Sequence, residues 1–127
     1  MNKVLLIDDD KAFTDILGSY IHELCPLLKV EVCNNPLSAL ALIKKGDSEL
    51  ILIDLEMPAL DGMKLYRFAI EAGVDKRRIV ILSAREPDYL REFFPMGSCL
   101  GVLNKFEARQ KEVLGMILKS IQSKICI

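Results

Sequence analysis

Val4-Leu5-Leu6-Ile7 runs directly into Asp8-Asp9-Asp10, and Leu50-Ile51-Leu52-Ile53 runs directly into Asp54. Short aliphatic runs of this kind read as strands buried on both faces, the signature of a parallel sheet covered by helices. In such sheets ligands gather at the carboxyl ends of the strands. Several carboxylates converging there repel one another unless a cation neutralises them. A divalent-metal site is therefore the first expectation.

The same rhythm extends outward from the two runs. The strand at residues 3–8 is followed by Phe13, Ile16, Leu17, Tyr20, Ile21 and Leu24, one face of an amphipathic helix that Asp9 or Asp10 can cap. Val30 and Val32 mark a second, shorter strand beyond Pro26. Asn35-Pro36 supplies an N-cap and a first-turn proline for a helix carrying Leu37, Leu40, Ala41 and Ile43, with Lys44, Lys45 and Gly46 suited to its end. The third strand, 50–54, leads through Met57-Pro58 to a helix from Gly62 to about Ala72, capped by Asp61, with Leu65, Phe68 and Ala69 inward. A fourth strand at 79–82, a short helix between Pro87 and Pro95, and a fifth strand at 100–103 follow. The last helix, about 107–123, carries Val113, Leu114, Ile117, Leu118 and Ile121 at helical spacing. A βα unit repeated five times with short connections predicts a five-stranded, doubly wound parallel sheet with helices on both faces. At 127 residues the chain is expected to be one domain with a single closed core.

Composition narrows the function classes. Seventeen basic residues against eighteen acidic ones leave no electrostatic footprint for nucleic acid or anionic lipid, so no direct nucleic-acid contact is expected. Cys25, Cys33, Cys99 and Cys126 form no close pair, and His22 is the one histidine, which argues against a structural zinc site. Scattered single cysteines suit a reducing cytoplasm. The N-terminus enters a strand without a basic region and long apolar stretch, so no signal peptide is expected, and no apolar run reaches membrane-spanning length.

Four strand ends offer side chains to one cleft: Asp8 and Asp9 after the first, Asp54 at the third, Ser83 after the fourth and Lys105 after the fifth. Carboxylates from two strand ends can hold Mg²⁺, which prefers oxygen ligands. A lysine ammonium and a serine hydroxyl opposite them are what a transferred phosphoryl group needs around its oxygens. An aspartate whose charge is offset by the metal and the lysine can attack phosphorus. No G-x-G-x-x-G or P-loop supports nucleotide binding.

With these motifs assembled, the chain resembles the receiver domain of two-component response regulators, from Val4 to the final helix. The resemblance rests on Asp8-Asp9, on Asp54-Leu55-Glu56-Met57-Pro58-Ala59-Leu60-Asp61-Gly62, on Ser83-Ala84 and on Lys105. It implies a CheY-like, flavodoxin-like sheet of strand order 2-1-3-4-5. It further implies that Asp54 accepts a phosphoryl group from a sensor histidine kinase or phosphotransfer protein. Asp9 would bind Mg²⁺ directly, Asp8 through water, with Asp54 and the backbone carbonyl of Glu56 completing the set. Ser83 would move to the phosphoryl group and Lys105 would pair with the anionic site. Such a domain phosphorylates itself from a donor and slowly loses the group; it is not an enzyme acting on an external metabolite. Its readout would be the face of the fourth and fifth helices with the last strand, used for an effector or a homodimer. The alternative is a pseudo-receiver, an interaction module not regulated by phosphorylation. A hydrolase of the haloacid-dehalogenase type would carry a D-x-D-x-T-like strand end, which Asp54-Leu55-Glu56-Met57-Pro58 does not match.

Three positions depart from the family pattern. Val102 stands where an aromatic switch residue is usual, Phe106 replaces the proline after the lysine, and Ser83 replaces the commoner threonine. A cis non-proline bond costs roughly 2.5–4 kcal/mol, so Lys105-Phe106 is expected to be trans. Asp10 suits helix capping better than the metal site. Glu56 and Arg85 each lie two residues past a site residue and overhang the cleft. They would form either an ion-paired gate limiting water's approach to Asp54 or two independently solvated side chains. Tyr89, Leu90, Phe93 and Phe94 would present either a partner surface or a wide buried face closed by Met96 and Leu100.

Overall fold

The computed structural model describes residues 2–58, 60–85, 90 and 92–125. Five strands form one parallel sheet: β1 (Lys3–Ile7), β2 (Lys29–Cys33), β3 (Ser48–Asp54), β4 (Ile79–Ser83) and β5 (Gly101–Asn104), in the order β2-β1-β3-β4-β5. The strand order expected from the family resemblance is the one observed. Among the described residues the helical elements are α1 (Lys11–Leu24), α2 (Pro36–Lys45), α3 (Gly62–Glu71), a 3₁₀ turn at Lys76–Arg78 and a C-terminal helix (Ala108–Ile125). The helix expected between Pro87 and Pro95 falls largely outside the described residues; within it, Phe93 and Phe94 donate backbone N–H groups to the Leu90 carbonyl.

Side-chain alternation along each central strand divides the interior into two layers. Val4, Leu6, Leu50, Leu52, Val80 and Leu82 pack with α1 and the C-terminal helix through Leu17, Ile21, Leu114 and Leu118. Leu5, Ile7, Ile51, Ile53, Ile79 and Ile81 pack on the other side with α2 and α3 through Ala39, Ile43, Leu65 and Ala69. A strand with both faces covered has no polar positions to spare, which is why these runs are aliphatic throughout. Burying each such side chain is worth about 1.5–3 kcal/mol, so the framework holds firm even though Asp8 and Asp54 are out of water at its edge.

Local signals place the helix ends. Asp10 caps α1 by accepting from the Phe13 N–H at 3.1 Å, Asn35 caps α2 from Leu37 at 3.0 Å, and Asp61 caps α3 from Met63 at 3.0 Å. Gly46 closes α2 in the left-handed region at φ 72°, which favours glycine. Four residues on the expected apolar helix faces are exposed, namely Ile16, Leu37, Ala41 and Val113, and on α1 Thr14 is buried where Ile16 is not. Phe94 and Leu90 are buried, whereas Phe93, Met96 and Leu100 are exposed, so Met96 and Leu100 do not close a buried face. No described helix is long and apolar enough to cross a membrane.

Candidate functional site

Because all five strands are parallel, their carboxyl ends share one edge. Asp8 follows β1, Asp54 ends β3, Ser83 ends β4, and Asn104-Lys105 ends and follows β5. Register aligns them: Asp54 pairs with Leu82, and Ser83 with Asn104. Gly62 locks the loop after Asp54 into place. Its N–H donates to the Leu55 carbonyl at 3.2 Å, and a Cβ there would overlap the Asp54 carbonyl oxygen and lie 2.6 Å from Leu55 Cα.

Asp8, Asp9 and Asp54 each offer a carboxylate oxygen, all within 4.8 Å of one another. Asp8 and Asp54 are buried and Asp9 is exposed. Lys105 Nζ lies 2.7 Å from Asp8 Oδ2 and 3.7 Å from Asp54 Oδ2. Asp8 Oδ1 accepts from the Asp10 N–H at 2.9 Å, while Asp8 Oδ2 meets the ammonium without a well-directed hydrogen bond. Three carboxylates against one ammonium leave two negative charges, the charge that one divalent cation matches. An all-oxygen donor set with an incompletely satisfied buried carboxylate oxygen fits a hard cation such as Mg²⁺.

The electrostatics carry the same message. Burial, reinforced by the neighbouring Asp8 carboxylate and only partly opposed by Lys105, pushes the Asp54 carboxyl from 3.8 up to about 8. Burial alone would depress the Lys105 ammonium, but Asp8 and Asp54 outweigh it and hold it above its ordinary range. A cation delivered to this cluster would oppose the first effect and ionise Asp54.

Residues absent from the sequence expectation support the site. Asn34 donates to the Asp8 carbonyl at 2.8 Å and to Thr14 Oγ1 at 3.0 Å, tying β1 to α1 beneath the carboxylates. Phe13 places its ring 4.4 Å from Lys105 Nζ, and Phe106 stands at 5.8 Å, the two rings meeting edge to face at 6.2 Å. Asn104 Oδ1 accepts from the N–H groups of Phe106 and Glu107, shaping the turn that aims Phe106. No cis peptide bond occurs among the described residues, so Lys105-Phe106 is trans as expected. Polar side chains at loop positions gave no periodic signal; the aromatic at position 106 was visible only as a departure.

Ser83 is fully buried but is turned toward Glu56: its Oγ lies 2.8 Å from Glu56 Oε2 and 3.0 Å from Oε1. The Ala84 N–H donates to Glu56 Oε1 at 2.8 Å, and the Arg85 N–H donates to Ser83 Oγ at 3.0 Å. The Glu56 N–H in turn reaches Asp54 Oδ1 at 3.2 Å. Glu56 and Arg85 line one recess with Asp61, Met63, Arg67 and Phe93. A groove of about 430 Å³ beside Lys105 is lined from α1, the end of β5 and the C-terminal helix, with Phe13, Ile16, Leu103 and Phe106 in its walls.

Comparisons with known proteins agree with this geometry. A family model described as "Response regulator receiver domain" matches residues 4–122. The probable C4-dicarboxylate response regulator DctR of Priestia megaterium is 27% identical over 130 residues, covering 98% of this chain. The chain spans only 57% of that relative's length. Response regulator protein TrrA of Thermotoga maritima, solved in complex with Mg²⁺-BeF, superposes with a TM-score of 0.77 at 19% identity, covering 95% of this chain and 99% of that one. A response regulator protein of Burkholderia pseudomallei, solved with a phosphorylated aspartic acid, a calcium ion and citrate, gives 0.72 at 20% identity, covering 98% and 72%.

Proposed function

The chain belongs to the response regulator receiver domain family, and from that premise we propose that it is a phosphoacceptor in a two-component relay, with Asp54 as the acceptor. The observation that carries the reading is the convergence of Asp54 with Asp8, Asp9 and Lys105 at one sheet edge. Asp54 Oδ would attack the phosphorus of a phosphohistidine on a sensor histidine kinase or phosphotransfer protein. The O–P bond forms, the N–P bond breaks, and imidazole leaves. Asp8, Asp9, Asp54 and the Glu56 backbone carbonyl would hold Mg²⁺, which supplies charge neutralisation at the attacking carboxylate and the transferred oxygens. Lys105, kept protonated by Asp8 and Asp54, places a fixed positive charge beside the reacting oxygen. Ser83 would swing inward to donate to the phosphoryl group. Arg85 and Glu56, which line one recess, would limit the approach of water to that group and so set how long it lasts.

The output is a population shift on the face around β5, where Phe93, Met96 and Leu100 are exposed; a homodimer or an effector would read it there. The test is incubation with acetyl phosphate and Mg²⁺ followed by intact mass measurement. A labile phosphoryl adduct on the wild type, absent from Asp54→Ala, is expected. A wild type that takes up no phosphoryl group would identify the chain as a pseudo-receiver that acts through contacts alone.

A further inference from the structure

The donors that a phosphoryl group on Asp54 would need are already occupied. β3 and β4 are neighbours with Asp54 opposite Leu82, so the loops carrying Glu56 and Ser83-Ala84 leave the sheet edge side by side. Across that gap one carboxylate takes two donors of the β4 loop, the Ser83 hydroxyl and the Ala84 N–H, at 2.8–3.0 Å. The Ser83 hydroxyl cannot be released cheaply, because its oxygen also accepts from the Arg85 N–H and the residue is fully buried. An anion bound by an O–H and an adjacent backbone N–H is what a phosphoryl oxygen would be in the same place.

Resting on the receiver reading above, we infer that the Glu56 carboxylate is an internal stand-in for the phosphoryl group. It is a positioning residue that holds Ser83 and Ala84 away until an incoming anion displaces it. The two anions compete for one pair of donors and repel each other. Phosphorylation therefore has to expel Glu56, and the expelled carboxylate becomes the mobile part of the signal. This gives the chain a coupling element at its third and fourth strand ends, where Val102 offers no ring to relay the Ser83 movement. It also lowers the apparent affinity for phosphoryl-like anions by the fraction of molecules in which the carboxylate has let go.

The probe is beryllofluoride with Mg²⁺ saturating for each variant, its Kd measured calorimetrically. Glu56→Ala is expected to bind beryllofluoride roughly tenfold more tightly than the wild type. Glu56→Gln, which keeps a neutral acceptor for the same donors, is expected to fall between them. In a Ser83→Ala background the gain from Glu56→Ala should shrink to about threefold or less, because half of the contested donor pair is gone. A second readout needs no anion: the Ala84 amide, hydrogen-bonded to Glu56 in the wild type, should exchange about tenfold faster in Glu56→Ala. A wild type that binds beryllofluoride while Glu56→Ala binds it equally or more weakly overturns the inference. So does an Ala84 amide that exchanges at the same rate in both. A wild type that does not bind beryllofluoride at all contradicts the receiver reading and the inference with it.

Discussion

Replacing Asp54 by asparagine is expected to stabilise the metal-free protein at neutral pH, with a magnitude that follows from the site. The Asp54 carboxyl is pushed from 3.8 to about 8 by burial and by Asp8, against the pull of Lys105. Between those two values the folded chain holds a proton that the unfolded chain has released, so folding takes up a proton and stability falls as pH rises. The contribution is complete below about 4 and is lost as pH climbs through about 8. Taking about 1.4 kcal/mol for each pH interval, the span from 3.8 to 7 corresponds to roughly 4 kcal/mol. Asparagine is neutral in both the folded and the unfolded chain and escapes this penalty, so a gain of up to about 4 kcal/mol is expected, or roughly 12–20 °C in Tm for a chain of this size. Melting curves by circular dichroism at pH 7.5 and pH 4 in a chelating buffer measure it. The gap should shrink below about 1 kcal/mol at pH 4, where residue 54 is largely neutral in both proteins. Saturating Mg²⁺ should narrow it at pH 7.5, since a ligand at one hundred times its Kd adds about 2.7 kcal/mol to the protein that binds it. A variant melting at or below the wild type at pH 7.5, or a gap of equal size at both pH values, would refute the reasoning.

Three other perturbations probe different parts of the site. Lys105→Met leaves Asp8 and Asp54 facing each other without a cation; a loss of about 3–5 kcal/mol in urea unfolding is expected in chelator, partly recovered by Mg²⁺, and an unchanged midpoint would contradict the ion-pair reading. Gly62→Ala drives a methyl into the Asp54-Leu55 backbone and should cost on the order of 4 kcal/mol, whereas Gly101→Ala meets open space and should stay within about 0.5 kcal/mol; equal effects at the two glycines would dismiss the close-approach argument. Arg85→Ala should shorten the lifetime of phospho-Asp54 about 1.5–5-fold, the rate equivalent of an exposed ion contact of 0.2–1 kcal/mol, and a lifetime equal to that of the wild type would remove Arg85 from the gate.

The framework was readable because a strand covered on both faces leaves a contiguous aliphatic run, and all five strands lie within two residues of where those runs place them. The acidic strand ends followed, since parallel strands bring their carboxyl ends to one edge. Helical periodicity is less exact: it marks a stripe wider than the true contact, so Ile16, Leu37 and Val113 fall on it yet face solvent, while Thr14 reads as polar although its buried hydroxyl is satisfied by Asn34. The grip of Glu56 on Ser83 and Ala84 had no periodic signature at all. It joins two loops, and loops carry no repeat from which a side chain's direction can be read. Phe13 beside Lys105 was hidden for a related reason, being legible as a core residue of α1 but not as a neighbour of a lysine 92 positions away.

Phe106 is 71% exposed, yet its ring stands 5.8 Å from the ammonium that faces Asp54. The chain contains no tryptophan. An indole introduced at that one position would therefore be the protein's sole long-wavelength emitter, at the rim of the phosphoacceptor site, with room for the larger ring. Charge arriving at Asp54 would alter its emission directly. The substitution that makes the turn after β5 unusual is thus also the place from which occupancy of the site can be watched in real time, by light, without a partner protein or a label.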